Sequence, residues 1–109
     1  MVLAMATFKI EKADTFFKRL RGLIGRKSLP PGQGLMIVPC NSIHMLFMRF
    51  AIDAVFIDKN FVIKKIAANL QTWTGISFCI GAWAVIELAA GETARLNLHV
   101  GDTLDVEFI

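Results

Sequence analysis

Apolar residues along this chain gather in short blocks bounded by turn formers, with one stretch of helical spacing among them. Residues 2–10 (Val-Leu-Ala-Met-Ala-Thr-Phe-Lys-Ile) predict a first strand, with Thr, Phe and Ile supplying the β preference. Asp14 then stands as the N-cap of a helix predicted to run to Ile24, because Phe16, Phe17, Leu20, Leu23 and Ile24 fall on one helical stripe. Gly25 is placed to stop it. The turn-rich segment 29–34 leads into a short buried strand at 35–38, which Pro39 ends. Residues 54–57 and 61–66 predict a hairpin across the Asp58-Lys59-Asn60 turn. A further strand is predicted at 83–88 and a turn or single helical turn at 91–97. Gly101-Asp102 then introduces a closing strand at 103–108 with clean alternation. Together these elements predict an α+β fold class: a β-rich single domain over residues 1–109. Its sheet is expected to be curled and mostly antiparallel, or a small barrel, packed by one main amphipathic helix.

Composition narrows the class. The chain has 109 residues, 55% hydrophobic and 19% charged, which excludes disorder, and two cysteines are too few to replace a core. Residues 28–48 and 66–86 carry no Asp, Glu, Lys or Arg. Each is as long as a membrane helix, but Pro, Gly and Asn interrupt both, so they read as buried strands and loops and no transmembrane segment is expected. No secretion signal is visible at the start. Cytoplasmic residence is therefore the default expectation, with export as a processed mature domain the alternative.

The net charge is +3, yet seven basic and two acidic residues lie between Lys9 and Lys27, so the excess is local. Lys18, Arg19, Arg21, Arg26 and Lys27 form a basic face, read first as solvated and second as a docking surface for an acidic protein or an anionic membrane. Without interleaved aromatics on that face, nucleic acid is the weakest partner reading.

The densest polar insertion in apolar sequence is residues 39–53. Cys40 and His44 invite a thiolate nucleophile activated by a histidine, the chemistry of a small hydrolase or transferase. On an extended strand these two share a face but stand about 13 Å apart, too far to bond; on a helix they would be neighbours. The plainer reading is a buried cysteine and a backbone-bonded histidine. Cys40, His44, Met45 and Met48 also make a soft ligand set that would suit copper(I), but no second Cys/His cluster supports it, and no metal site is assigned. Cys79 reads as core, and nothing but the even count indicates a disulfide.

Asp53 and Asp58 flank the predicted strand at 54–57, and Glu87 sits inside an otherwise apolar one. Alternation points Glu87 to water; a buried Glu87 would need Arg49, Arg95 or His44 as a partner and would be a functional candidate. There is no nucleophile elbow, phosphate-binding glycine loop or HExxH, so no cofactor is expected. Trp73, Ile76, Phe78, Ile80 and Trp83 crowd a charge-free region. They could all be core; exposed, they would make a ligand groove, a protein-binding surface or a homo-oligomer contact.

The run Cys40-Asn41-Ser42-Ile43-His44, then Phe47-Met48, then residues 52–58 (Ile-Asp-Ala-Val-Phe-Ile-Asp) resembles the signature of domain-of-unknown-function family 192, small prokaryotic proteins. Residues 21–26, 85–91 and 100–102 extend the resemblance over nearly the whole chain. Two positions depart from the pattern: Met45 stands where the family usually has Thr, and Ala51 where it usually has Pro. The first removes a hydroxyl beside the expected site and the second frees a backbone donor. The resemblance implies a compact β-rich domain with a helix and implies no activity; by analogy Cys40, His44, Asp53 and Glu87 mark where a site is sought. The function expected is that of a small non-catalytic ligand-binding or protein-interaction module. The Cys/His enzyme and the soft-metal protein are its rivals.

Overall fold

A computed structural model of the chain describes residues 7–109, apart from the side chains of Phe16, Phe17 and Leu20. The elements in order are β1 (Phe8–Ala13), α1 (Phe16–Arg21), β2 (Gln33–Ile37), β3 (Ser42–His44), β4 (Ile52–Ile57), β5 (Ile63–Leu70), β6 (Ile76–Phe78), β7 (Ala84–Ala89), α2 (Glu92–Arg95) and β8 (Val106–Phe108). Among the described residues six strands form one sheet in the order β5-β4-β7-β2-β1-β8, and β3 pairs with β6 in a separate two-stranded ribbon.

The sheet is mixed. β4 pairs antiparallel with β5 and β7, and β2 with β7, whereas β1 runs parallel to both β2 and β8. It is not a closed barrel, which corrects that half of the expectation. Residues 61–63 and 101–104 are joined by the Val62–Thr103 bridge and three backbone hydrogen bonds, but the edge strands β5 and β8 themselves do not pair. β4 is buried along its whole length, Asp53 included, so both faces of the sheet are covered there. One face packs Leu35, Ile37, Ala54, Phe56 and Val85 against Leu23, Ile43, Met45 and Met48. The other packs Phe8, Ile10, Met36, Val55, Ile57 and Ile86 against Leu104.

Gly34 shows how closely the strands approach. A Cβ there would lie 2.7 Å from the Glu87 carbonyl oxygen and 2.9 Å from Ile10 Cδ1, so only glycine fits between β1 and β7.

Several boundaries differ from the sequence reading. The helix predicted from Asp14 to Ile24 spans only Phe16–Arg21, and Thr15, not Asp14, caps it by accepting from the Lys18 amide at 3.2 Å. Gly22, at φ 50°, ends it one turn before Gly25. A helix of six residues has little stability of its own, so it is held by what Leu23 and Ile24 bury after it. The apolar stripe expected through Phe16, Phe17 and Leu20 rests on side chains outside the described set. Of the first predicted strand, residues 2–6 lie outside the described residues; the strand that is described starts at Phe8 and runs to Ala13. β4 begins at Ile52, so Asp53 lies within the strand and does not flank it. The closing strand shortens to Val106–Phe108.

Candidate functional site

Behind the C-terminal end of α1 the sheet, α1 and the β3–β6 ribbon leave a cleft of about 350 Å³. Its walls are largely apolar, from Leu23, Ile24, Ile37, Pro39, Ile43 and Met48, and Arg19, Arg21, Cys40, Ser42, His44 and Glu87 supply polarity. Three local features build it. Gly22 closes α1 with φ 50° and brings the backbone over Glu87, where a Cβ would stand 3.6 Å from Oε1. The cis Val38–Pro39 bond follows β2 at the cleft wall. The Cys40 amide then donates to the Trp83 carbonyl, and the Cys79 amide to the Asn41 carbonyl, fixing the strand that leads into the ribbon.

Glu87 is the chemical centre of the cleft. It is 4% exposed, and among the described residues no donor reaches its carboxylate; Oε1 is fully buried without a partner. None of Arg49, Arg95 or His44, the partners foreseen for a buried Glu87, bonds it. Burial pushes its pKa from the ordinary 4.5 up to about 7, with the charge of Arg26 opposing the rise. Arg26 itself is engaged elsewhere, bonding Glu11 at 2.6 Å. The alternation argument that pointed Glu87 to water fails because the face it projects from is itself covered.

Arg19 is a second unfulfilled group at the same cleft. Its Nη1 donates to the Pro39 carbonyl at 3.3 Å, while its Nε is buried with no acceptor. Arg21 is exposed at the rim. The basic face is thus divided: Arg19 and Arg21 line the cleft, Arg26 is paired with Glu11, and Lys18 and Lys27 are exposed.

Cys40 and His44 both border the cleft, each with its own backbone partner. The Cys40 thiol donates to the Ser42 carbonyl at 3.0 Å, and His44 Nδ1 accepts from the Leu46 amide at 3.3 Å. Burial, joined by the charge of Glu87, pushes the Cys40 thiol pKa up against the opposing pull of the Ser42 backbone and of Arg19, and so disfavours a thiolate. Met45 is fully buried in the core, so the departure at that position changes packing and not the cleft; Met48 lines the wall. Among the described residues no three His, Cys, Asp or Glu side chains converge as a ligand set. Cys40 and Cys79 are free thiols.

Asp53 is brought elsewhere. Its carboxylate accepts from the amides of Asn69 at 2.9 Å, Gly91 at 3.2 Å and Thr93 at 2.9 Å, and from the Thr93 hydroxyl at 2.6 Å. Burial alone would raise its pKa, but these bonds, led by the Thr93 hydroxyl, hold it below the usual carboxylate value. A carboxylate so fully bonded is a structural clasp between β4, the end of β5 and α2.

The apolar cluster divides as well. Trp73, Ile76, Phe78 and Ile80 are exposed, together with Leu46 and Phe47, which sequence reasoning passed over. Trp83 is half-buried and packs edge-on against Phe61 at 6.2 Å, within the second core. The β3–β6 register sets His44 opposite Ile76 and Ser42 opposite Phe78, so the rim of the cleft continues into this apolar face. Among the described residues no helix is long and apolar enough to cross a membrane.

Comparison with known proteins places these features in a wider set. The profile of DUF192, described as an uncharacterised ACR, matches residues 2–106. A UPF0127 protein of Thermococcus sibiricus is 34% identical, the alignment covering 93% of this chain and 68% of that protein. A UPF0127 protein of Pyrococcus furiosus is 31% identical over 89% of this chain and 85% of its own length. Among solved structures, a protein of unknown function from Novosphingobium aromaticivorans superposes with a TM-score of 0.81 at 26% identity, covering 88% of this chain and 73% of that one. A putative transcription regulator from Sinorhizobium meliloti gives 0.80 at 25% identity, with 86% and 78% covered.

Proposed function

The chain belongs to the uncharacterised family DUF192, and from that footing we propose that it is a non-catalytic binding module whose ligand enters the cleft over Glu87. The observation that carries this reading is the buried carboxylate of Glu87, unpartnered at the base of an apolar cavity. A buried acceptor without a donor costs free energy that a ligand offering N–H or O–H would recover. Arg19 Nε, a buried donor at the same cleft with no acceptor among the described residues, asks for the complementary group. A ligand that meets both demands carries a donor and an acceptor on one apolar frame, as a small amide or an amino-acid derivative does. The cavity is within the size range of small-molecule sites. In this reading residues 1–109 act as one domain, and the two free cysteines suit a reducing compartment such as the cytoplasm.

The enzyme alternative rests on Cys40 and His44. A thiol with a raised pKa that bonds a carbonyl, beside a histidine that bonds a backbone amide, supports binding over nucleophilic attack.

An amide-resolved NMR titration tests the proposal, using 4-methylpentanamide, its isosteric methyl ketone and 4-methylpentanoate as probes. The amide should move the Gly22, Cys40 and His44 signals, and Glu87→Ala should weaken it while leaving the ketone unchanged. Equal, featureless responses to all three probes at millimolar concentration would sink the reading.

A further inference from the structure

We propose that the β3–β6 ribbon and the Phe47–Trp73 tip beside it form a docking face for an anionic lipid surface. This face is independent of what the cleft holds. Phe47 and Trp73 both have positive φ, 64° and 66°, a conformation costly for bulky side chains. Both are exposed, and their rings meet edge to face at 5.1 Å. The turns that present them are tied together: the Trp73 amide donates to the Met45 carbonyl at 2.8 Å and the Met45 amide to the Gly75 carbonyl at 2.9 Å. Gly75 admits no side chain, since a Cβ would lie 2.6 Å from the Gln71 carbonyl oxygen. The exposure of the two rings is therefore built into the backbone.

The ribbon extends this tip. Its pairing turns Ile43 and Ser77 inward and leaves Ile76 and Phe78 on the open face. Ile76 is 73% exposed, and Ile80 just beyond is 88% exposed. Rings and aliphatic side chains projecting from short, stiff turns match the boundary between headgroups and hydrocarbon, where amphipathic tryptophan settles.

Charge selects the partner. No Asp or Glu occurs in residues 28–52 or 66–86, the segments that supply its apolar side chains. Lys65 stands 5.4 Å from the Phe78 ring and donates to the Phe78 carbonyl at 2.8 Å. Arg49 is exposed two residues after Phe47, and Arg21 is exposed at the cleft beside Ser42 and His44. A second copy meeting this face about a twofold axis would bring the same surface, whose segments 28–52 and 66–86 offer these basic residues no carboxylate. Anionic headgroups complement them while the apolar side chains enter the acyl boundary.

The test is co-sedimentation with large unilamellar vesicles of phosphatidylcholine alone or in equal parts with phosphatidylglycerol. The wild type should pellet with the mixed vesicles and remain in solution with the neutral ones, and high salt should release it. In a Trp83→Phe background, Trp73 emission should shift to the blue on binding. Ile76→Ser combined with Ile80→Ser, both at exposed positions, should lower partitioning about tenfold or more with unchanged circular dichroism. Arg49→Gln should lower it about fivefold. Wild-type protein that stays in solution with the mixed vesicles overturns the proposal, as does a double serine variant that pellets as before. A concentration-dependent dimer, lost in that variant and unaccompanied by vesicle binding, assigns the face to a second copy instead and equally overturns it.

Discussion

Asp53 and Glu87 lie on adjacent strands one register step apart, yet they project to opposite faces of the same sheet. Asp53 is level with Leu88 and Glu87 with Ala54, and alternation along β4 sends Ala54 to one core and Val55, with Asp53, to the other. Two carboxylates so close in the ladder therefore cannot work as an acid–base pair. They titrate in opposite directions because burial acts on both, while four hydrogen bonds outweigh it at Asp53 and none among the described residues reaches Glu87.

Glu87 makes stability fall as pH rises. Its folded pKa, about 7, stands above the ordinary 4.5, so the folded chain holds the proton more tightly. Its contribution is fully present below pH 4.5 and is lost as pH climbs through 7, a swing of about 3 kcal/mol. Urea denaturation at pH 5 and pH 8 should show this loss. Glu87→Gln should remove it and raise stability at pH 8 by roughly 1–3 kcal/mol. A wild type equally stable at both values, with the variant no better, contradicts the assignment.

Asp53 acts in a lower window and with the other sign. A depressed carboxylate pKa contributes stability above the unfolded value of 3.8, lost as pH falls below it. Asp53→Asn replaces one acceptor oxygen by a donor facing donors, and should cost about 3 kcal/mol at neutral pH. Faster hydrogen exchange of the Thr93 and Gly91 amides would locate the damage at α2; a loss below about 1 kcal/mol would refute the clasp.

Cys40 should alkylate more slowly in the folded chain than in urea at pH 8, because burial and Glu87 hold the thiol protonated. Glu87→Gln should speed the reaction by removing the adverse charge, and Arg19→Gln should slow it by removing the favourable one. Mass spectrometry of iodoacetamide-treated protein reads all three. A native rate above the unfolded one would revive the nucleophile reading.

Gly34→Ala should destabilise the fold by about 3 kcal/mol, because its new methyl would meet the Glu87 carbonyl oxygen at 2.7 Å and Leu88 Cδ2 at 2.8 Å. Backbone on one side leaves no flexible neighbour to yield. Thermal melting that places the variant within a degree of the wild type would show that β7 can move away.

What the sequence disclosed depends on how local the cause was. The β4–β5 hairpin follows from one apolar run, a turn and a second run, and its turn is held as expected, with Asp58 accepting from the Asn60 and Val62 amides. β3 and β6 escaped notice because each is three residues long and pairs across a wide gap in sequence. The role of Asp53 was hidden for the same reason: Thr93, which clasps it, is forty positions away. Helix length was misjudged because Gly22 and Gly25 are equivalent stop signals until one sees which adopts the ending turn; Gly25 also has positive φ, in the turn that follows. Cys40, His44 and Glu87 do gather at one cleft, while the orphaned state of Glu87 needed the covered face to become visible.

The parallel pairing of β1 with β8 also governs when the fold can be completed. β1 finds β2 early, but its other side waits for Val106–Phe108, and the Thr7 hydroxyl bonds Asp105 across 98 positions. Contacts of such separation slow folding, since loop closure is paid before the pairing returns anything. A chain still on the ribosome would therefore carry β1 with one edge open until almost its last described residues had emerged. Its vulnerability to aggregation and proteolysis belongs to that interval, and any truncation before Val106 would make the interval permanent.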